Sequence, residues 1–341
     1  MTLPNIENFT KLARIKPNGI EIHLTNFCNH ACSWCVADEV RQNKWHFPYE
    51  KAEKLIRECG EAGVGTIIFS GGGDPFMFKG LEKLLELSHS LGMENMLVTN
   101  GYGLNEKNIP IVAKTCHLVR ISTDAGNQEA HALIHRPKNP AKDNLDVITK
   151  KISMLTKEVK EHNHSAKVML TFVVIDESIE SIPEFLDLAE RLEVHEVDFK
   201  TNHFWSPQKK NETYEYLRKL VEKSEKRSFH INIEEPKSRV GEKSEELWST
   251  LLVAGIVEAN GDLYPCCHRS LQPQWHMGNV LETNFVEAWT GTKRQEILKR
   301  SLNEHYVCPT CLDTDFNRRL NQFVSKHGID LLTKESRLLP I

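Results

Sequence analysis

Between residues 20 and 200 apolar positions come in two alternating patterns. Short dense runs, Ile20–Leu24, Thr66–Ser70, Asn95–Thr99, Leu118–Thr123, Lys167–Val174 and Glu196–Lys200, read as strands. Between them, Tyr49–Ala62, Leu81–Leu91, Pro140–Glu161 and Ile182–Leu192 carry apolar residues at the three- and four-residue spacing of amphipathic helices. Leu55, Ile56, Cys59 and Ala62 fall on one face of the first of these. Strand–helix alternation predicts an α/β fold with a parallel sheet and right-handed crossovers. Six such units predict a partial (βα)6, TIM-like barrel, whose chemistry gathers at the C-terminal ends of the strands.

Past the sixth unit the pattern changes. Tyr214–Lys226 reads as a helix and Ser228–Ile233 as a candidate seventh strand, and the polar stretch Glu234–Glu246 reads as a linker. Gly255–Val257 and Leu263–Tyr264 then flank Asn260-Gly261, a hairpin signal. Helices are expected around Phe285–Lys299 and Phe316–Val324. The predicted divisions are an extension over 1–17, a barrel over 18–233, a linker over 234–246, a small β-hairpin-plus-helices unit over 247–327 and a tail over 328–341.

Composition narrows the classes. The chain has 341 residues, 26% of them charged, with a formal net charge of −4, so no basic footprint argues for nucleic acid. No apolar run approaches the ~20 residues of a membrane span, and Met1–Lys16 lacks the apolar core of a secretory signal. Nine cysteines in such a chain point to metal ligation or redox chemistry rather than a disulfide framework. A cytoplasmic location and no membrane partner are therefore expected.

Three of those cysteines, Cys28, Cys32 and Cys35, stand in Cys-Asn-His-Ala-Cys-Ser-Trp-Cys, directly after the first predicted strand. Structural zinc sites are closed by four ligands, whereas a four-iron cluster held by three thiolates keeps one iron open. The spacing Cys-x-x-x-Cys-x-x-Cys with an aromatic before the last cysteine resembles the radical S-adenosylmethionine (SAM) superfamily. The resemblance implies a [4Fe–4S] cluster whose open iron is chelated by SAM. It also implies reductive cleavage of SAM to a 5′-deoxyadenosyl radical, which takes hydrogen from a substrate. A flavodoxin- or ferredoxin-type electron donor is the implied partner.

Other motifs acquire meaning from the same resemblance. Ser70-Gly71-Gly72-Gly73-Asp74-Pro75 resembles the superfamily's Gly-Gly-Glu-Pro loop, with Asp74 in place of the usual glutamate. Glycines there allow close backbone approach and positive φ, and Gly72, Gly73 and Asp74 are the candidates for holding the SAM amino group. Ser122 and then Asn100, at the ends of the fourth and third strands, resemble ribose and carboxylate contacts, although both also suit ordinary turns. Trp34 is either an aromatic near the adenine or a core tryptophan. Arg136, near His131 and His135, is either a SAM carboxylate ligand or part of a solvated helix face. Cys59 and Cys116, without partner spacing, read as buried apolar residues. At the barrel rim, Lys200, Asn202 and His203 are candidate substrate contacts, and a plain surface loop explains them equally well.

A second cysteine set follows the hairpin: Cys266-Cys267-His268 and, about forty residues on, Cys308-Pro309-Thr310-Cys311. With Met277-Gly278-Asn279-Val280 and the helix bearing Trp289, it resembles the SPASM/twitch extension of radical SAM enzymes, which implies an auxiliary [4Fe–4S] cluster on Cys266, Cys308 and Cys311. A zinc knuckle is the structural alternative. The family pattern supplies a further upstream cysteine, yet Leu247-Trp248-Ser249-Thr250 has no thiol. The fourth ligand is then Cys267, His268, the substrate or nothing. Adjacent side chains tend to diverge, which frees Cys267 to donate hydrogen to a substrate radical; a ligand or spectator role is the alternative.

The expected function is hydrogen abstraction from a small polyhydroxylated metabolite (a sugar, aminocyclitol or nucleoside), ending in oxidation or epimerisation. Dehydration and decarboxylation are further outcomes. Only 27 residues precede Cys28, fewer than a leader-binding domain needs, which favours a small molecule over a peptide; a peptide epimerase or maturase is the second reading. A non-catalytic iron–sulfur or zinc protein is the third.

Overall fold

The computed structural model describes residues 13–202, 204–223, 227–235, 250–303, 322 and 326. Seven strands and the helices between them alternate in the predicted order. They are β1 (Gly19–His23), α1 (Tyr49–Ala62), β2 (Thr66–Ser70), α2 (Leu81–Ser90), β3 (Glu94–Thr99), α3 (Ile109–Thr115), β4 (Cys116–Ser122), α4 (Gln128–His135), α5 (Leu145–Glu161), β5 (Lys167–Val174), α6 (Ile182–Arg191), β6 (Glu196–Thr201), α7 (Pro207–Lys223) and β7 (His230–Ile233). All neighbouring pairs from β1 to β7 are parallel, with β1 to β7 in sequential order across the sheet. This is the partial (βα) barrel expected, with the candidate seventh strand included.

Element ends follow local chemistry. Helix α5 starts at Leu145 rather than Pro140 because the Asn144 side chain accepts a hydrogen bond from the Val147 N–H. Helix α7 starts at Pro207, seven residues before the predicted Tyr214, with proline at a position that needs no N–H donor. The single helix expected over Phe285–Lys299 is two, α8 (Phe285–Thr290) and α9 (Thr292–Asn303), broken at Gly291, whose backbone is extended.

Each strand has one apolar face sealed by helices. Ile20, Ile22, Phe69, Leu97, Val119, Ile121, Leu170, Phe172, Val197 and Phe199 have no exposed surface. Phe172, Phe185 and Phe199 pack their rings together under α6. Alternate residues on the opposite, inner face are polar or only half-buried: Glu21, Met96, Arg120, Asp198 and Lys200. A parallel sheet covered on both sides reads as continuous apolar runs. These strands instead keep one wet face, which is where a ligand can sit.

The C-terminal unit does not stand apart from the sheet. Strand β8 (Ala254–Val257) pairs parallel with β1, on the edge away from β2. The antiparallel strands β9 (Asp262–Tyr264) and β10 (Gly278–Asn279) continue the sheet outward. Arg294 of α9 fastens the joint. It is fully buried, donates to the carbonyls of Ala13, Trp289, Leu251 and Leu252, and lies 3.8 Å over the Trp289 ring. Trp289 in turn donates to the Ile15 carbonyl. Cys59 and Cys116 are buried core residues, as expected. Cys308, Cys311 and the helix expected over Phe316–Val324 fall outside the described residues, apart from position 322.

Candidate active site

Strand β1 ends at His23, and the next fourteen residues form a loop at the C-terminal end of the sheet. Cys28, Cys32 and Cys35 are half-buried on it. Burial first, then the charges of Asp74 and Cys35, raise Cys28 to about 11; burial, then Asp124, Cys35 and Cys28, raise Cys32 further. Thiols that resist ionisation because they are buried are stabilised as thiolates by a bound cation. The donor set therefore fits an iron–sulfur cluster. Short N–H···S approaches surround the sulfurs, from the His30 amide to Cys28 (3.4 Å), Arg41 Nη1 to Cys35 (3.5 Å) and Asn100 Nδ2 to Cys28 (3.9 Å).

The glycine loop lies against the residues just before Cys28. Gly73 N–H donates to the Thr25 carbonyl and Asp74 N–H to the Phe27 carbonyl. A Cβ on Gly73 would lie 1.9 Å from the Phe27 oxygen, and one on Gly72 2.7 Å from Asn26 Oδ1. Neither glycine has positive φ. Close approach alone requires them, and the positive φ expected from sequence is absent. Beside Gly72, Asn26 Oδ1 is buried without a hydrogen-bond partner among the described residues, as is Trp34 Nε1 on the cysteine loop. Unpartnered buried polar atoms are costly, and two of them beside these loops suit a site that receives a polar ligand.

Asp74 is fully buried and braces the site internally. One carboxylate oxygen accepts from the Phe76 N–H; the other accepts from Thr99 Oγ1 and the Asn100 N–H, both at 2.8 Å. Burial raises its pKa, against the pull of these hydrogen bonds. It joins the glycine loop to the end of β3. Asn100 extends the chain of contacts, its Nδ2 donating to Asn29 Oδ1 at 2.9 Å.

Three residues outside the loop, His135, Lys138 and Asp143, hold it from the far side. His30 is buried, with Nε2 3.0 Å from both oxygens of Asp143, and Asn29 donates to Asp143 at 2.7 Å. Burial opposes ionisation of Asp143, but the His30 and Asn29 contacts win and lower its pKa. Lys138 Nζ donates to the Cys28 carbonyl at 2.7 Å. His135 Nε2, 2.8 Å from the Thr123 carbonyl, donates to it, so Nδ1 presents its lone pair to Cys32 Sγ at 3.5 Å. Burial, reinforced by the neighbouring imidazoles, lowers His131 to about 4 and His135 well below the usual range, so both rings are neutral. These partners lie more than 100 residues from the loop in sequence, beyond the reach of any spacing rule.

The remaining predicted residues divide. Ser122 ends β4 on the inner face, half-buried, beside Thr171 of β5. Trp34 packs with Trp205 against Ala125, Ala130, Ile134, Val173 and Ile175, at the ends of β4 and β5. Arg136 is exposed and folds back to donate to the Leu133 carbonyl, the solvated-helix alternative. Lys200 lies on the inner face; Asn202 accepts from the Phe204 N–H in a turn; His203 is outside the described residues. Cys266 is half-buried against the core and Cys267 is exposed.

At the edge where β1 meets β8, buried His23 sits between two carboxylates, with Nδ1 2.9 Å from Glu258 and Nε2 3.1 Å from Glu21. Burial alone would lower its pKa; the charge of Glu258 and the hydrogen bonds to both acids overcome this and hold it at about 10.

A parallel (βα) sheet with three half-buried cysteines on one loop at its C-terminal end defines a class, and comparison with known proteins agrees. Residues 22–189 match the Radical SAM superfamily model and residues 253–312 match SPASM, an iron–sulfur cluster-binding domain. The chain belongs to the radical SAM superfamily and carries a C-terminal SPASM domain. Its cofactors are accordingly a [4Fe–4S] cluster with SAM and auxiliary iron–sulfur ligation in the SPASM domain.

Among solved structures it resembles SuiB of Streptococcus suis at 15% identity and TM-score 0.66, over 84% of this chain and 68% of that one. It also resembles anSMEcpe, solved with AdoMet and a peptide, at 17% identity and TM-score 0.59, over 84% of each. These likenesses concern the fold. Curated relatives include an S-adenosylmethionine-dependent nucleotide dehydratase of Lacinutrix mariniflava, 31% identical over 137 residues, covering 38% of this chain and 29% of that protein. Another is the nucleotide dehydratase RSAD2 of Oncorhynchus mykiss, 27% identical over 188 residues, covering 54% and 53% respectively. The chain thus spans about half or less of these relatives' lengths. Among the described residues no helix is long and apolar enough to cross a membrane.

Proposed function

We propose that this protein is a radical SAM enzyme that abstracts hydrogen from a small polyhydroxylated metabolite (a sugar, aminocyclitol or nucleoside) bound on the inner face of the sheet. The observation that carries this reading is the chemistry of that face. On β4, β5 and β6 it presents Arg120, Thr171, Asp198 and Lys200, donors and acceptors suited to hydroxyl groups. When bound, the cluster and SAM supply a 5′-deoxyadenosyl radical, and the hard chemistry is theirs. The chain binds and orients. Cys28, Cys32 and Cys35 hold the cluster, while Gly72, Gly73 and the Asp74 brace shape the loop beside it. Ser122 and Asn100 are assigned to the nucleoside part of SAM, and Trp34 to the side of its adenine. The similarity to nucleotide dehydratases favours the nucleoside branch of the substrate class and keeps dehydration among the outcomes.

Cys267, which is exposed, is the candidate donor of a hydrogen atom in an epimerisation, while Cys266, with Cys308 and Cys311, is assigned to the auxiliary cluster. A flavodoxin- or ferredoxin-type donor supplies the electron. The test uses anaerobically reconstituted full-length protein, a chemical reductant and pooled candidate metabolites in deuterated water. Formation of 5′-deoxyadenosine with consumption of one small metabolite supports the reading. Deuterium at a retained C–H assigns epimerisation, and its loss in Cys267→Ala assigns the donor. Consumption of peptides alone would overturn the small-molecule assignment.

A further inference from the structure

Two cations approach each other on the inner face. Arg120 of β4 stands beside Met169 of β5, and its Nε reaches toward the C-terminal end to donate to Thr171 Oγ1 at 2.8 Å. Lys200 of β6 stands beside Val173, two residues nearer that end, and its Nζ leans back to 3.6 Å from Asp198 Oδ2. Asp198 is itself the register partner of Thr171. The guanidinium and the ammonium therefore come to the Thr171 row from opposite directions, one from each neighbouring strand. Burial first, and then the charge of Arg120, make protonation of Lys200 harder, although Asp198 and Glu234 offset part of this.

Among the described residues local carboxylates do not saturate the pair; Asp124, which feels the charge of Arg120, accepts instead from the Val173 N–H. The 3.6 Å contact between Lys200 and Asp198 is too long for a hydrogen bond. Glu21, which also feels the charge of Arg120, is engaged with His23 and Ser70. Among the described residues no partner lies within hydrogen-bonding distance of the terminal Arg120 nitrogens, whose planar fork matches a carboxylate or phosphate. Thr171, buried between the two cations, fixes the guanidinium's approach.

We propose that Arg120 and Lys200 form an anion-binding pair that takes a phosphate or carboxylate group of the substrate, so that the metabolite is an anionic one. This rests on the reading that the substrate lies on the inner face.

The test is calorimetric titration of the cluster-reconstituted full chain with inorganic pyrophosphate and with malonate as probes, alongside a titration with SAM. One probe binds saturably, and Arg120→Gln and Lys200→Met each weaken it by at least about tenfold, as loss of a charge-assisted hydrogen bond requires; SAM affinity stays within about twofold. Pyrophosphate binding assigns a phosphorylated substrate, and malonate binding a carboxylated one. No probe binding, or binding indifferent to both variants, overturns the proposal. So does a loss of SAM affinity in Arg120→Gln, which would give the guanidinium to the SAM carboxylate. If Arg120→Gln lowers the iron content, Lys200→Met decides. Failure of the reduced wild type to form 5′-deoxyadenosine would sink the enzymatic reading and leave the anion result standing separately.

Discussion

At the residue scale, Gly73 and the cysteines show two different kinds of necessity. Gly73 is required by distance: a methyl group there would collide with the Phe27 carbonyl at 1.9 Å, and a backbone oxygen cannot swing aside. Gly73→Ala is expected to cost at least about 3 kcal/mol in a urea titration and to weaken SAM binding at least tenfold. Gly92→Ala, at a positive φ with nothing within 4 Å, is the control and is expected to cost only about 1 kcal/mol. The cysteines are required by chemistry. Replacing any of Cys28, Cys32 or Cys35 by serine is expected to abolish iron loading at the N-terminal site, read as iron per chain and as loss of the cluster's charge-transfer absorption. His30 and Asp143 act one step back, by holding the loop. Asp143→Ala leaves His30 buried without its carboxylate, and is expected to lower iron retention under a chelator with less effect on secondary structure.

At the scale of elements, the joint between the barrel and the C-terminal unit carries the interest. Strand β8 borrows the free edge of β1, which removes an exposed edge from the barrel, and Cys266 and Cys267 follow β9 of that same extended sheet. Arg294 holds that joint with carbonyls only, none of them an acid. Arg294→Met keeps the apolar stem and removes the donors. It is expected to destabilise the protein by on the order of 3 kcal/mol, measured by denaturant midpoint, and to expose the β8 region to hydrogen exchange before the rest of the sheet. The hairpin itself was legible in the Asn260-Gly261 turn, where the antiparallel pair β8–β9 stands. That the hairpin's first strand would extend the barrel sheet was not, because strand neighbours hundreds of residues apart leave no local periodicity.

At the scale of the molecule, the His23 cluster ties the same joint electrostatically. Its folded pKa, near 10, lies above the ordinary histidine value, so the native state binds the proton more tightly than the unfolded chain. That stabilisation is complete below about pH 6.5 and is lost as pH rises toward 10, with a slope of roughly 1.4 kcal/mol per pH unit from this group. Urea midpoints measured from pH 7 to 10 should fall along that slope, and His23→Gln should flatten it; an unchanged slope would remove His23 from the account. By itself the sequence determined the parallel strand–helix order, the three-thiol loop, the glycine loop and the second cysteine set, because each is written in contiguous residues whose spacing carries its own chemistry. Only the tertiary structure decided that Asp74 braces rather than projects, that Arg136 turns to solvent, that His30, Lys138 and Asp143 clamp the loop, and that Arg120 meets Lys200. Those outcomes depend on which strands lie side by side and on where buried polar groups find partners, and both are settled by packing across long sequence separations.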